Sequence, residues 1–134
     1  MQRIAKFHKV SEERFINDWK DTFEETSEAE IKKIYEDISL PKRATAGSAG
    51  YDFYAPMDIC LQPGETIKIP TGVRVEMEPN WVLKCYPRSG LGFKYQLSIC
   101  NTIPVVDADY YFSNNEGHIF VKLVNRGDKS VHIN

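Results

Sequence analysis

The chain has 134 residues, enough for one domain to bury a core without disulfide or metal staples. Hydrophobic residues make up 42% and charged residues 27%, an ordinary soluble balance. The formal charge of −2 gives no general electrostatic reason to hold nucleic acid or an anionic membrane, so an anionic ligand needs a local basic pocket. The opening MQRIAKFHKVSEERF has no long apolar run, so neither a signal peptide nor a membrane span is expected. Cys60, Cys85 and Cys100 lie far apart and form no CxxC pair, which argues against a zinc site. They read as free thiols of a reducing cytosol, serving as small buried hydrophobes.

In chain order, the first forty residues carry helical spacing. Phe15, Ile16, Trp19 and Phe23 recur within a charged background. Ser27 and Glu30 form an S-x-x-E capping box, followed by Ile31, Ile34, Tyr35 and Ile38 at i, i+3, i+4 and i+7, and Pro41 stops the pattern. The spacing predicts a helical hairpin over residues 11–38, with its apolar stripes packed on the domain or on a neighbouring subunit.

From residue 51 the period falls to two. Ile59 and Leu61 precede the turn Gln62-Pro63-Gly64-Glu65, and Ile67 and Ile69 follow it. Val73, Val75 and Met77 form a stripe, then Trp81, Leu83 and Cys85, and later Ile119, Val121 and Leu123. After Asn125-Arg126-Gly127-Asp128 come Val131 and Ile133. Short strands punctuated by Pro and Gly argue for a sandwich or jelly roll.

Three segments carry residues suited to phosphate or proton chemistry. In Ala44 to Asp52, small residues let the backbone approach a ligand, and Asp52 can reach a metal ion through water. In Pro87-Arg88-Ser89-Gly90-Leu91-Gly92, Arg88 offers a planar fork, Ser89 a hydroxyl, and the glycines their N–H groups. In Asn101 to Tyr111, Asp107 and Asp109 point to one side if the segment is extended, so that one can activate water while the other tunes it. Read singly, each segment is equally a tight loop, a common turn and a solvated acidic turn.

Together they resemble the trimeric dUTPase family. LPKRATAGSAGYDF (Leu40 to Phe53) is similar to its first motif, PRSGLG to its second and NTIPVVDADY (Asn101 to Tyr110) to its third, with PTGVRVEMEP (Pro70 to Pro79) between them. The resemblance implies an all-β, distorted jelly-roll or β-sandwich of the dUTPase type, with the helical hairpin added at its N-terminus. One domain would span residues 1–134, with the helical insertion at 11–38 and the β core at 39–134. It implies hydrolysis of dUTP to dUMP and pyrophosphate with Mg²⁺, in a cytoplasmic homotrimer whose sites are shared between subunits, without nucleic-acid or membrane partners.

By that resemblance Asp107 is the carboxylate that deprotonates the attacking water. Arg88, Ser89 and Gly90 hold the phosphate chain. Asn101 and Ile103 belong to the uracil pocket with Asp109, and Tyr110 packs on deoxyribose and leaves no room for a 2′-hydroxyl. Asp52 touches the magnesium ion through water.

Three departures stand out. The helices before Leu40 are atypical of the family. A longer segment, Tyr111 to His118, replaces the family's short RGE turn, and reads as a surface excursion; His118 reads as structural or exposed. The chain stops at Asn134, before the family's fourth motif and Gly-rich fifth motif, which suggests a truncated core that binds substrate weakly. Two other readings are dCTP deamination and a non-catalytic trimer that binds nucleotide or a protein partner. The deaminase family places its catalytic glutamate where Lys122 sits here, and a lysine cannot take that proton at neutral pH.

Overall fold

A computed structural model describes residues 3–134. Among the described residues, nine strands form small antiparallel sheets, with three helices and one 3₁₀ turn.

The N-terminal region builds a helical unit. Strand β1 (Ala5–Lys9), which the mixed sequence AKFHK did not reveal, pairs with β4 (Val73–Met77). Helix α1 (Glu12–Thr22) begins where the Ser11 side chain accepts from the Arg14 N–H, and Glu12 and Glu13 sit favourably at its positive end. Helix α2 (Glu28–Asp37) begins with the complete Ser27–Glu30 capping box. The helices bury Phe15, Ile16, Trp19 and Ile31 together with Val10, forming a core of their own.

The β region follows the period-two pattern. Strand β2 (Ile59–Leu61) pairs with β9 (Val131–Ile133), and β3 (Thr66–Pro70) pairs with β8 (Phe120–Asn125), which also pairs with β6 (Leu97–Ile99). Their inward residues make the central core of Ile59, Leu61, Ile69, Leu97, Ile99, Leu123 and Val131. Gly64, at φ 85°, turns the chain between β2 and β3, as the Pro-Gly pair requires. Val73, Val75, Val106 and Ile119 make a third core, against which Phe53 and Tyr110 pack.

Gly72 is where the helical unit docks. At φ 75°, a Cβ there would run into Ile38 and approach the Phe15 ring, and its carbonyl accepts from Val10 N–H at 2.9 Å. The helices therefore rest directly on the backbone of the Pro70 to Pro79 stretch.

Several expectations need correction. Cys60 is exposed and only Cys85 and Cys100 are half-buried, because Cys60 takes the outward position between Ile59 and Leu61. The Trp81 stripe faces solvent at its start, with Trp81 51% exposed. Tyr111 to His118 is no surface excursion: Gly117 is buried against the Tyr110 and Tyr111 backbone and His118 against the helical unit, with the His118 Nδ1 2.6 Å from Asp18 Oδ2.

Candidate functional site

The arginine-serine segment is not a loop. Ser89–Tyr95 forms helix α3, with Arg88 at its N-cap in extended backbone and Gln96 closing it in the left-handed region. Two glycines oppose a helix by about 1 kcal/mol each. It forms because Leu91 and Tyr95 pack on the central core. The Gly92 N–H is spent on the Arg88 carbonyl at 3.0 Å, whereas Gly90 lies in the first turn, whose N–H groups lack intrahelical partners. Burial pushes the Cys85 thiol up, so this neighbour is a packed neutral group rather than a nucleophile.

Asp107 ends strand β7 (Val105–Asp107), and Asp109 already belongs to a 3₁₀ turn, Ala108–Phe112. The expectation of two aspartates on one face of an extended segment therefore fails: the backbone coils immediately after Asp107. Both carboxylates are exposed, and among the described residues neither is held in a hydrogen bond or an ion pair. The Arg88 guanidinium, Ser89 and Asn101 are exposed as well.

Between Cys100 and Pro104 the chain turns tightly, with Thr102 N–H on the Ile99 carbonyl and Ile103 N–H on the Asn101 carbonyl. Thr102 sits at φ 68°, unusual for a β-branched residue. Such backbone costs on the order of 1–3 kcal/mol and clusters at functional sites. It stands between Asn101 and Ile103, and no composition signal announced it.

The candidate residues divide into two groups. Asp52, in an isolated bridge with Lys42, adjoins Phe53, and Asp107 adjoins Val106; Phe53, Val106 and Tyr110 share one core. Arg88 and Ser89 sit instead beside the central core, through Cys85 and Leu91. Strand β5 (Val82–Lys84) pairs with β7 so that Val82 faces Asp107 and Lys84 faces Val105, and the ladder continues with Cys85 N–H on the Pro104 carbonyl. From Val82 the chain runs without helix or turn to Arg88. Six residues at about 3.3 Å each set an upper limit of roughly 20 Å on the span from Val82, opposite Asp107, to Arg88.

The exposed side of the same ribbon mixes apolar Val82 and Val105 with charged Lys84 and Asp107. Trp81, Val82, Ile103 and Val105 all stand in solvent, Val105 at 56%. A groove of about 220 Å³ opens elsewhere, between the end of α2 and Tyr54 to Pro56, away from Asp107. Among the described residues no three metal-ligating side chains converge, and no helix is long and apolar enough to cross a membrane.

These features have clear counterparts. Residues 36–134 match the family model for dUTPase. The chain belongs to the dUTPase family. It is 42% identical over 97 residues to the deoxyuridine 5'-triphosphate nucleotidohydrolase of Lactococcus lactis, covering 72% of this chain and 65% of that protein. It is 38% identical over 99 residues to the same-named protein of a Thermoanaerobacter species, covering 72% and 64%. The chain thus spans just under two thirds of the length of these relatives. The crystal structure of dUTPase from Streptococcus mutans superposes with a TM-score of 0.64 at 31% identity, covering 95% of this chain and 84% of that one. A dUTPase from phage phi11 of S. aureus shares the fold at 22% identity and a TM-score of 0.63, covering 93% and 61%. The β-rich fold of this dUTPase-family chain accords with theirs.

Proposed function

We propose that this chain forms the core of a dUTP pyrophosphatase whose sites are completed between subunits. Family membership supports the reaction, and the placement of Asp107 and Arg88 beside different cores supports the sharing. An exposed carboxylate with no partner is free to take a proton, and Arg88 and Ser89 are free to hold phosphate. The exposed Trp81, Val82, Ile103 and Val105 on and beside this ribbon offer apolar surface to a second copy, and a homotrimer is the assembly we infer.

In this reading Asp107 orients a water molecule and accepts its proton as the oxygen bonds to the α-phosphorus. The bond to the bridging oxygen breaks, and pyrophosphate leaves. Arg88 and Ser89 of an adjoining subunit hold the phosphate chain, and most of the rate comes from positioning and charge stabilisation. Gly90 lets the chain approach closely. Asn101 and Ile103 line the uracil pocket with Asp109, and Tyr110 faces the deoxyribose.

Asp52 is half-buried and unpaired among the described residues. One free carboxylate without converging ligands suits magnesium, which keeps several waters and takes other oxygens from substrate phosphates. When bound, the ion would neutralise the triphosphate. Dual incubation with dUTP and dCTP tests the reading. Release of dUMP and pyrophosphate is expected; ammonia release from dCTP would overturn it.

A further inference from the structure

We propose that Asp18, on helix α1, is a positioning residue for Tyr110, acting through His118. The inference rests on the reading of Tyr110 as the ribose-facing aromatic. It begins from two features of this chain, the helices before Leu40 and the long segment after Tyr110.

The His118 side chain is fully buried, and each ring nitrogen has one partner. The Gly72 N–H donates to Nε2 at 2.8 Å, so Nε2 carries no proton. Nδ1 then holds the hydrogen and donates to Asp18 Oδ2 at 2.6 Å. Phe15 and Phe120 pack beside the ring. Burial holds the imidazole below its ordinary range, against the attraction of Asp18 and Glu116 and with the help of Arg14.

The backbone of the same residue holds the tyrosine. The Tyr110 hydroxyl donates to the His118 carbonyl at 2.6 Å and accepts from Asn115 Nδ2 at 2.9 Å. Gly117, at φ 69°, lies so close that a Cβ would strike the Tyr110 and Tyr111 backbone. A second tie fixes the same segment: Glu116 accepts from the Ser11 N–H at 2.8 Å and hydroxyl at 2.6 Å. Arg14 Nη2 donates to the Asn114 carbonyl at 3.2 Å. The helices and the longer segment are therefore one device, and its far end is Tyr110.

Removing the Asp18 carboxylate leaves a buried Nδ1–H without an acceptor. The ring then turns to find another partner, the Gly72 bond goes with it, and the carbonyl that anchors Tyr110 moves.

The test uses the whole chain with ¹³C-labelled tyrosine, the Tyr110 signal being assigned through Tyr110→Phe, and calorimetry with dUMP and UMP. Asp18→Ala is expected to shift the Tyr110 resonance and narrow the preference for dUMP by about tenfold, the scale of one net hydrogen bond. Asp18→Asn, whose amide oxygen still accepts from Nδ1, restores both. Ile31→Ala, in the same helical core but outside this hydrogen-bond chain, lowers Tm and changes neither. Should Asp18→Ala fail to fold, Asp18→Glu displaces the oxygen and gives the same two readouts. An unmoved Tyr110 signal in the Asp18 variants, or an equal shift from Ile31→Ala, overturns the proposal. If the unaltered chain shows no dUMP preference while Asp18→Ala still shifts Tyr110, the ribose-facing reading falls and the positioning role stands.

Discussion

The helical unit and the β5–β7 ribbon treat their apolar surface in opposite ways. The helices bury Phe15, Trp19 and Ile31 among themselves and on Gly72, and their buried polar pair, Asp18 and His118, is matched within the chain. The ribbon leaves Trp81, Val82, Ile103 and Val105 in water, and it carries Asp107 at one end while leading to Arg88 at the other. One region closes on itself, and the other leaves its surface open.

If that contrast is right, substitutions in the ribbon should remove activity or assembly without unfolding the chain, and substitutions in the apolar core of the helical unit should cost stability first. The largest effect is expected from Asp107→Asn, a loss of dUTP turnover of about 10²–10⁴-fold with Tm unchanged, read by pyrophosphate release and a melting curve. A parallel fall in Tm would assign Asp107 to the fold. Next, Phe15→Ala should lose about 3–5 kcal/mol of stability in urea titration, because it empties a fully buried ring site. Val105→Asp should convert the assembly to monomer in sedimentation while far-UV circular dichroism stays the same, since the residue is exposed in the single chain.

The smallest effect is a pH dependence. The folded His118 resists protonation, so its contribution is present above the ordinary histidine value of about 6.5. It is lost as pH falls from there through the lowered folded value. Stability should therefore decline on the acid side, and His118→Gln should flatten that part of the curve. An unchanged slope would remove His118 from the account.

Much of the fold was legible because local rules agreed. Ser27 and Glu30 announced α2 through their capping box, and Gly64 marked the turn between β2 and β3 through its required φ. The Trp81 stripe was legible as a strand whose Leu83 and Cys85 pack inward, but Trp81 itself lies just before β5 and faces solvent. Strand β1 was hidden because AKFHK lacks alternation and is held by register with Val73 to Met77. Helix α3 was hidden because its glycines argue against it, and the packing of Leu91 and Tyr95 overrules them.

The site was legible as three segments and a resemblance. How Tyr110 is held was not, because Asp18 and His118 are 100 positions apart and meet only after the helices dock. The coil at Asp109 also escaped, since Asp-Ala-Asp-Tyr suits either backbone.

The claim that sites form between chains has a direct test. Asp107→Asn and Arg88→Ala chains, each inactive alone, are mixed, unfolded and refolded together, and dUTP hydrolysis is measured. Shared sites predict that activity returns in the mixture, because some sites pair an intact Asp107 with an intact Arg88 from the neighbouring chain. A mixture as inactive as its two parents would contradict the account.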